Sequence, residues 1–284
     1  MAEVVFIGLS LASVLLLVAL GLAITYGAMG VINMAHGEMV MLGAYTAVLT
    51  RIYLHLDILA AIPLAFVATA LVGYAIERVV VRRLYGRLLD TLLATWGVAI
   101  LIQQAVRLEL GASFFGLHIA GLGPGLQNVA VPPELTGALT LGHVQVNAFR
   151  AFIIVVTLLL ALVTWLLMHR TSIGIQVRAI MRNPGMAAAC GIDVDRVNAL
   201  TFAYGSGLAG VAGVMVSGFK TVFPDMGTPM VVDAFLVVVV GAWGASPVPS
   251  SRPGCWASST GSPRSCRTTS SPAPSCSPSS SPSS

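Results

Sequence analysis

A chain of 284 residues with 56% hydrophobic and 9% charged side chains cannot clothe itself in a water-facing surface, since soluble domains carry roughly 25% charged residues. Its mean hydropathy of +0.89 places it among integral membrane proteins. The net charge of +4 forms no basic stripe for nucleic acid, because the arginines are scattered between apolar runs.

A helical crossing needs about 20 apolar residues. Runs of that kind cover residues 9–25, 58–81, 92–108, 151–168 and 199–216, with shorter ones at 39–49 and 230–241. They predict an all-α, polytopic transmembrane bundle of six or seven crossings. No β-barrel alternation of polar and apolar residues is present. No basic region precedes the first run and no small-residue cleavage site follows it, so the first span is expected to be retained.

The first two runs are separated by residues 27–38, Gly-Ala-Met-Gly-Val-Ile-Asn-Met-Ala-His-Gly-Glu. Irregular chain at membrane depth is tolerated only inside protein or along a wet cavity. Gly27, Gly30 and Gly37 permit a departure from helix, Asn33 is a suitable cap, and Glu38 suits the first turn of a new half-helix. Asn33, His36 and Glu38 therefore read either as the lining of a substrate pathway or as caps of a tight loop. His36 has no second ligand beside it, so no metal site is expected.

Arg78, Arg82, Arg83 and Arg87 follow the third run, and Arg170, Arg178, Arg182 and Arg196 lie between the long runs at 151–168 and 199–216. The opposite connections offer Arg51, Arg107, Arg150 and Lys220, so the bias places the two arginine groups in the cytoplasm. The N-terminus is then outside, provided that the break reverses the chain. Gln103 and Gln104 fall within a span and must face protein or a cavity.

Residues 170–197 form a cytoplasmic loop. It reads as a short amphipathic helix to Arg182, a stop at Asn183-Pro184-Gly185, and a small-residue helix ended by Gly191. Two short helices suit docking to a soluble partner; the plainer reading is a topogenic loop. Ser206, Gly210 and Val214, with Ala209, Gly213 and Ser217, set mostly small residues four apart, a pattern for close helix packing. Asp233 reads as a first-turn dipole partner or a pathway residue.

From Ser246 to Ser284, 24 of 39 residues are Ser or Pro, with no Leu, Ile, Phe or Met. Such composition reads as a disordered tail, or as GC-rich codons translated out of frame; the abrupt change favours the frameshift. Residues 1–245 are then the transmembrane domain and 246–284 the tail. Lys220 is the only lysine and follows no glycine-rich loop, so any ATP use belongs to another polypeptide. No Ser elbow, zinc motif or Cys/His cluster is present.

The run from Asn33 to Tyr45, Asn-Met-Ala-His-Gly-Glu-Met-Val-Met-Leu-Gly-Ala-Tyr, resembles the signature of permease subunits in bacterial branched-chain amino acid and urea ABC importers. Arg178, Ala179, Asn183 and the stretch 187–192 resemble that family's cytoplasmic coupling segment. Met34, the run Asp90-Thr-Leu-Leu-Ala-Thr-Trp-Gly97 and the run from Asp233 to Val240 are most similar to the urea subgroup. The resemblance spans about residues 8–245. It implies a non-enzymatic permease of the inner membrane passing urea or a short amide, with branched-chain amino acids as the alternative. The implied substrate pathway is Asn33, His36, Glu38, Gln103, Gln104 and Asp233. The implied ATPase coupling residues are Arg178, Ala179, Asn183, Ala187, Ala188 and Gly191. Partners would be a homologous second permease, two ATPases carrying ATP and magnesium, and an external binding protein. The family normally continues past Gly244 with further apolar helices, so an inactive truncated permease or a membrane interaction protein is the other reading.

Overall fold

The computed structural model describes residues 2–109, 125–128, 137–141 and 144–245. The readings of the Ser/Pro tail fall outside the described residues. Helix α1 (Ala2–Met29) is followed by α2 (His36–Tyr53), α3 (Ile58–Val79), a 3-10 turn (Val81–Leu84) and α4 (Leu88–Arg107). Further along the chain come strands β1 (Ala138–Leu141) and β2 (Val144–Asn147), then α5 (Ala148–Arg170), α6 (Ser172–Arg182), α7 (Pro184–Ala189), α8 (Val194–Ser217) and α9 (Gly227–Ala245). The hairpin, with Ala138 paired to Asn147 and Leu141 to Val144, is a feature that the apolar runs did not announce.

Five helices, within α1, α3 with its 3-10 turn, α4, α5 and α8, are long and apolar enough to cross a membrane. The two short runs become α2 and α9, whose N-termini lie inside the bundle. Helix α8 is the axis: 83% of its membrane-length window is buried, against 17–33% in the other four. It packs on α1, α2 and α3, and the small residues make this possible. A Cβ on Gly205 would stand 2.7 Å from the Gly21 carbonyl oxygen, and one on Gly213 would stand 1.9 Å from that of Val40. In lipid, where no hydrophobic force holds helices together, such backbone approach supplies the dispersion contact that does. The packing reading of that stretch is what the structure displays.

The two ends of the bundle sort by charge. Arg82, after α3, pairs with Asp195 at the start of α8. Ala28 at the end of α1 joins Val177, Ile180, Ala187 and Val197 in an apolar cluster over the short helices. At the other end Arg150 Nη1, opening α5, donates to Ser10 Oγ at 2.9 Å. Helices α1 and α5 thus run the same way, and the arginine-rich end is the cytoplasmic one by the positive-inside rule.

Candidate functional site

The break is built by one glycine. Gly30, at φ +65°, takes the left-handed conformation that ends α1, and its N–H donates to the Tyr26 oxygen at 2.8 Å. Gly27 and Gly37, expected to share that task, are instead helical and serve as contact points. A Cβ on Gly27 would meet the Met181 methyl at 2.8 Å, and one on Gly37 the Gly227 oxygen at 2.3 Å. Asn33 does not cap α2, whose cap residue is Ala35 without a side-chain bond. The Asn33 Oδ1 accepts from the Ala35 N–H at 3.0 Å, closing an Asx turn one step earlier. The Met34 N–H donates to Thr95 Oγ1 of α4 at 3.2 Å.

His36 Nε2 donates to the Val18 carbonyl oxygen at 3.1 Å, which requires the Nε2–H tautomer. Val18 precedes Met29 by eleven residues, or about 16 Å of helix. The segment after Gly30 therefore climbs back into the bundle, and α2 begins near the middle of α1. His36 and Glu38, two residues apart, point about 200° apart on the helix. One ties α2 to α1 and the other faces α4 and α9.

Glu38 is buried, at 3% exposure, and its Oε2 has no hydrogen-bond partner. The side chain of Thr228 is its hydrogen-bonding neighbour. Glu38, Gln103, Thr228, Trp96, Ile100 and Val231 line a cavity of about 120 Å³. Here the N-termini of α2 and α9 converge, Gly37 against Gly227. Each brings roughly half a positive charge next to a carboxylate. One wall is apolar and one polar, and Trp96 is 56% exposed on the flank of the bundle. A small solute with an ammonium group and an aliphatic side could be held on both.

An outer clasp lies beside the cavity. Arg107 Nη2 is 2.6 Å from both carboxylate oxygens of Asp225, and Gln103 Nε2 also donates to that carboxylate. Gln127 exchanges backbone bonds with Val222 of the α8–α9 connection at 2.9 and 2.8 Å.

The expected pathway residues do not all meet. Glu38 and Gln103 share the cavity, while Asn33 and His36 hold the break in shape. Gln104, expected to face protein or cavity, is exposed on the outside of α4, because one residue along a helix rotates the side chain by about 100°. Asp233 is exposed and lines a different cavity with Lys220. Thr228, Asp225, Arg107 and Trp96 were missed. Asp225 could have been found as a lone acid in a short connection opposite a span ending in arginine. Glu77 was missed too: it is 1% exposed within α3, and the Tyr85 hydroxyl donates to it at the cytoplasmic end. Burial, then that carboxylate, pushes the Tyr85 phenol above its usual range.

In the cytoplasmic segment, Asn183 Oδ1 accepts from the Met186 N–H at 3.1 Å and starts α7. Gly191, at φ +85°, ends it, its N–H donating to the Ala188 oxygen at 3.0 Å. Ala187 faces inward, 5% exposed against Val177 and Val197, whereas Arg178, Met186, Ala188 and Gly191 face out. Ala179 is half-buried. Among the described residues no group of His, Cys, Asp and Glu could hold a metal ion.

A protein-family profile described as "Branched-chain amino acid transport system / permease component" matches residues 4–254. The high-affinity branched-chain amino acid transport system permease protein LivH of Escherichia coli (strain K12) is 31% identical over 257 residues, covering 85% of this chain and 79% of its own length. The corresponding protein BraD of Pseudomonas aeruginosa is 32% identical over 255 residues, covering 84% and 78%. A probable LivH of Methanocaldococcus jannaschii is 27% identical over 239 residues, covering 81% and 70%. No solved structure matches. With a helical bundle of membrane-crossing length, an interrupted helix pair and these relatives, the chain belongs to the branched-chain amino acid transport permeases, multi-pass proteins of the inner membrane.

Proposed function

We propose that this chain is the permease subunit of an ATP-driven importer and passes branched-chain amino acids through the cavity between α2, α4 and α9. The observation that carries the reading is the buried Glu38 carboxylate, whose Oε2 has no hydrogen-bond partner, beside an apolar wall of Trp96, Ile100 and Val231. A carboxylate takes the ammonium of an amino acid, the wall takes its aliphatic side chain, and the positive dipole ends of the two converging helices favour its carboxylate. Urea has no apolar side and no charge to exploit this division. The relatives named above carry branched-chain amino acid names, which supports the alternative over the urea reading.

The partners in this reading are a second permease that closes the exposed flank around Trp96, two ATPases with ATP and magnesium, and an external binding protein. The ATPase surface is the outward face of α6 and α7, with Arg178, Ala188 and Gly191 exposed and Asn183 shaping it. Uptake of labelled leucine and labelled urea, in cells supplying these partners, tests the substrate. Leucine uptake that falls at least tenfold with Glu38→Gln, at unchanged membrane abundance, is expected. Urea uptake without leucine uptake rejects the substrate, and uptake of neither rejects the transport reading.

A further inference from the structure

Asp233 and Lys220 leave an ionic problem that the substrate cavity does not solve. Both line a second cavity of about 250 Å³ between the outer part of α1, the end of α8 and α9. Among the described residues neither side chain has a hydrogen bond or ion pair. Asp233 is the only charged side chain of α9, and a charge within a membrane helix is costly unless a partner meets it. Apart from Thr221 the rest of the wall is apolar, with Leu11, Leu15, Phe219 and Met230.

This cavity does not end there. Leu15 also lines a groove of about 600 Å³ that continues between α1 and α9 past Ala19, Tyr26, Val238 and Gly241. From Leu11 to Tyr26 the groove follows α1 for about 22 Å, at about 1.5 Å per residue. One leaflet contributes about half of a hydrocarbon core of roughly 30 Å, or about 15 Å. The groove is thus long enough for a complete acyl chain and mostly apolar, with a cation and an anion at its outer end.

We propose that this groove binds a phospholipid whose headgroup carries a phosphodiester and a primary ammonium. Lys220 meets the phosphate, Asp233 the ammonium, and one acyl chain lies between α1 and α9. A lipid with only an anionic headgroup would use Lys220 and leave Asp233 unpaired and repelled. A quaternary ammonium would offer Asp233 no N–H to accept. The headgroup class is therefore set by the pair rather than by either residue.

The test is native mass spectrometry of the full chain in its assembled complex, with phosphatidylethanolamine, phosphatidylglycerol, phosphatidylcholine and free leucine as probes. Phosphatidylethanolamine should be retained preferentially. Asp233→Asn should weaken that retention about tenfold, the loss for one charge-assisted hydrogen bond, and strengthen that of phosphatidylglycerol by removing the repulsion. Lys220→Gln should weaken both. Equal retention of phosphatidylglycerol, or retention indifferent to Asp233→Asn, overturns the proposal. Displacement by free leucine would make this a solute site instead. A second measurement needs no variant in the pair: Leu16→Cys, exposed on the groove, should react with a lipid-soluble maleimide in membranes. A high-yield disulfide to a neighbouring subunit's helix there would show that protein, not lipid, fills the groove.

Discussion

Gly37 and Gly227 stand so close that a Cβ on the first would lie 2.3 Å from the second's carbonyl oxygen, and a Cβ on the second 2.6 Å from the first's. This contact sets the distance between the two helix ends that border the Glu38 cavity. Either residue as alanine must push α2 and α9 apart. Gly37→Ala and Gly227→Ala should each lower stability by about 1–3 kcal/mol, the usual cost of overpacking. They should reduce uptake more than the loss of folded protein explains, read as transport per assembled complex. Normal transport with normal thermal stability would mean that the two ends separate freely.

The axis helix offers a sharper contrast. Gly213→Ala on α8 places a methyl 1.9 Å from a backbone oxygen, while Gly8→Ala on α1 meets nothing within 4 Å. We expect the first to lower the melting temperature of the detergent-solubilised complex and the second to leave it unchanged. Equal melting curves would show that α8 does not seat against α2 as described.

Asn183→Ala removes the cap of α7 and should cost about 1 kcal/mol locally. Ala188→Arg, on the outward face, should leave the subunit folded but abolish stimulation of the partner ATPase. Ala187→Arg should fail earlier, since its side chain enters the cluster of Val177 and Val197. Cross-linking from Ala188→Cys to the ATPase checks the docking face. An uncoupled phenotype for both arginine variants, at equal abundance, would contradict the inward placement of Ala187.

Arg107 and Asp225 are 38% and 53% exposed, so their pair contributes little to stability, about 0–1 kcal/mol. Their effect lies in position. With Arg107→Gln, the connection carrying Asp225 loses its hold on α4, and Gln103 loses a fixed partner. Uptake should show a KM raised several-fold with little change in melting temperature. An unchanged KM would remove this clasp from the path.

Apolar run length revealed the crossings because burial in lipid leaves the backbone no other way to satisfy its polar groups. The stop at Asn183-Pro184-Gly185 and the cap at Gly191 were equally legible, since each acts on backbone close by in the chain, whereas the role of Asn183 as the cap of α7 was not read. The break was located from its glycines and polar side chains, but Gly27 and Gly37 were read as flexible when they are contact points. Chain spacing does not state which neighbour a helical glycine meets. Gln104 was mistaken for the same reason, because hydropathy does not fix the rotation of a helix about its axis. Thr228, Trp96 and Asp225 join Glu38 from 58 to 190 residues away, a proximity that exists only after the helices pack.

The burial of α8 has a mechanical meaning. Its 24 residues form a rod of about 36 Å, gripped by backbone on three sides, with few long side chains to yield. At one end Asp195 is bound to Arg82 beside the short cytoplasmic helices; just beyond the other, the chain reaches Asp225 and its hold on Gln103 and Arg107. In the proposed transport cycle, a push delivered at the cytoplasmic end would be passed on as travel rather than absorbed as deformation, and would arrive at the mouth of the proposed path. Spin labels at Arg196 and Lys220 should keep a fixed separation through the ATP cycle while both move relative to α4.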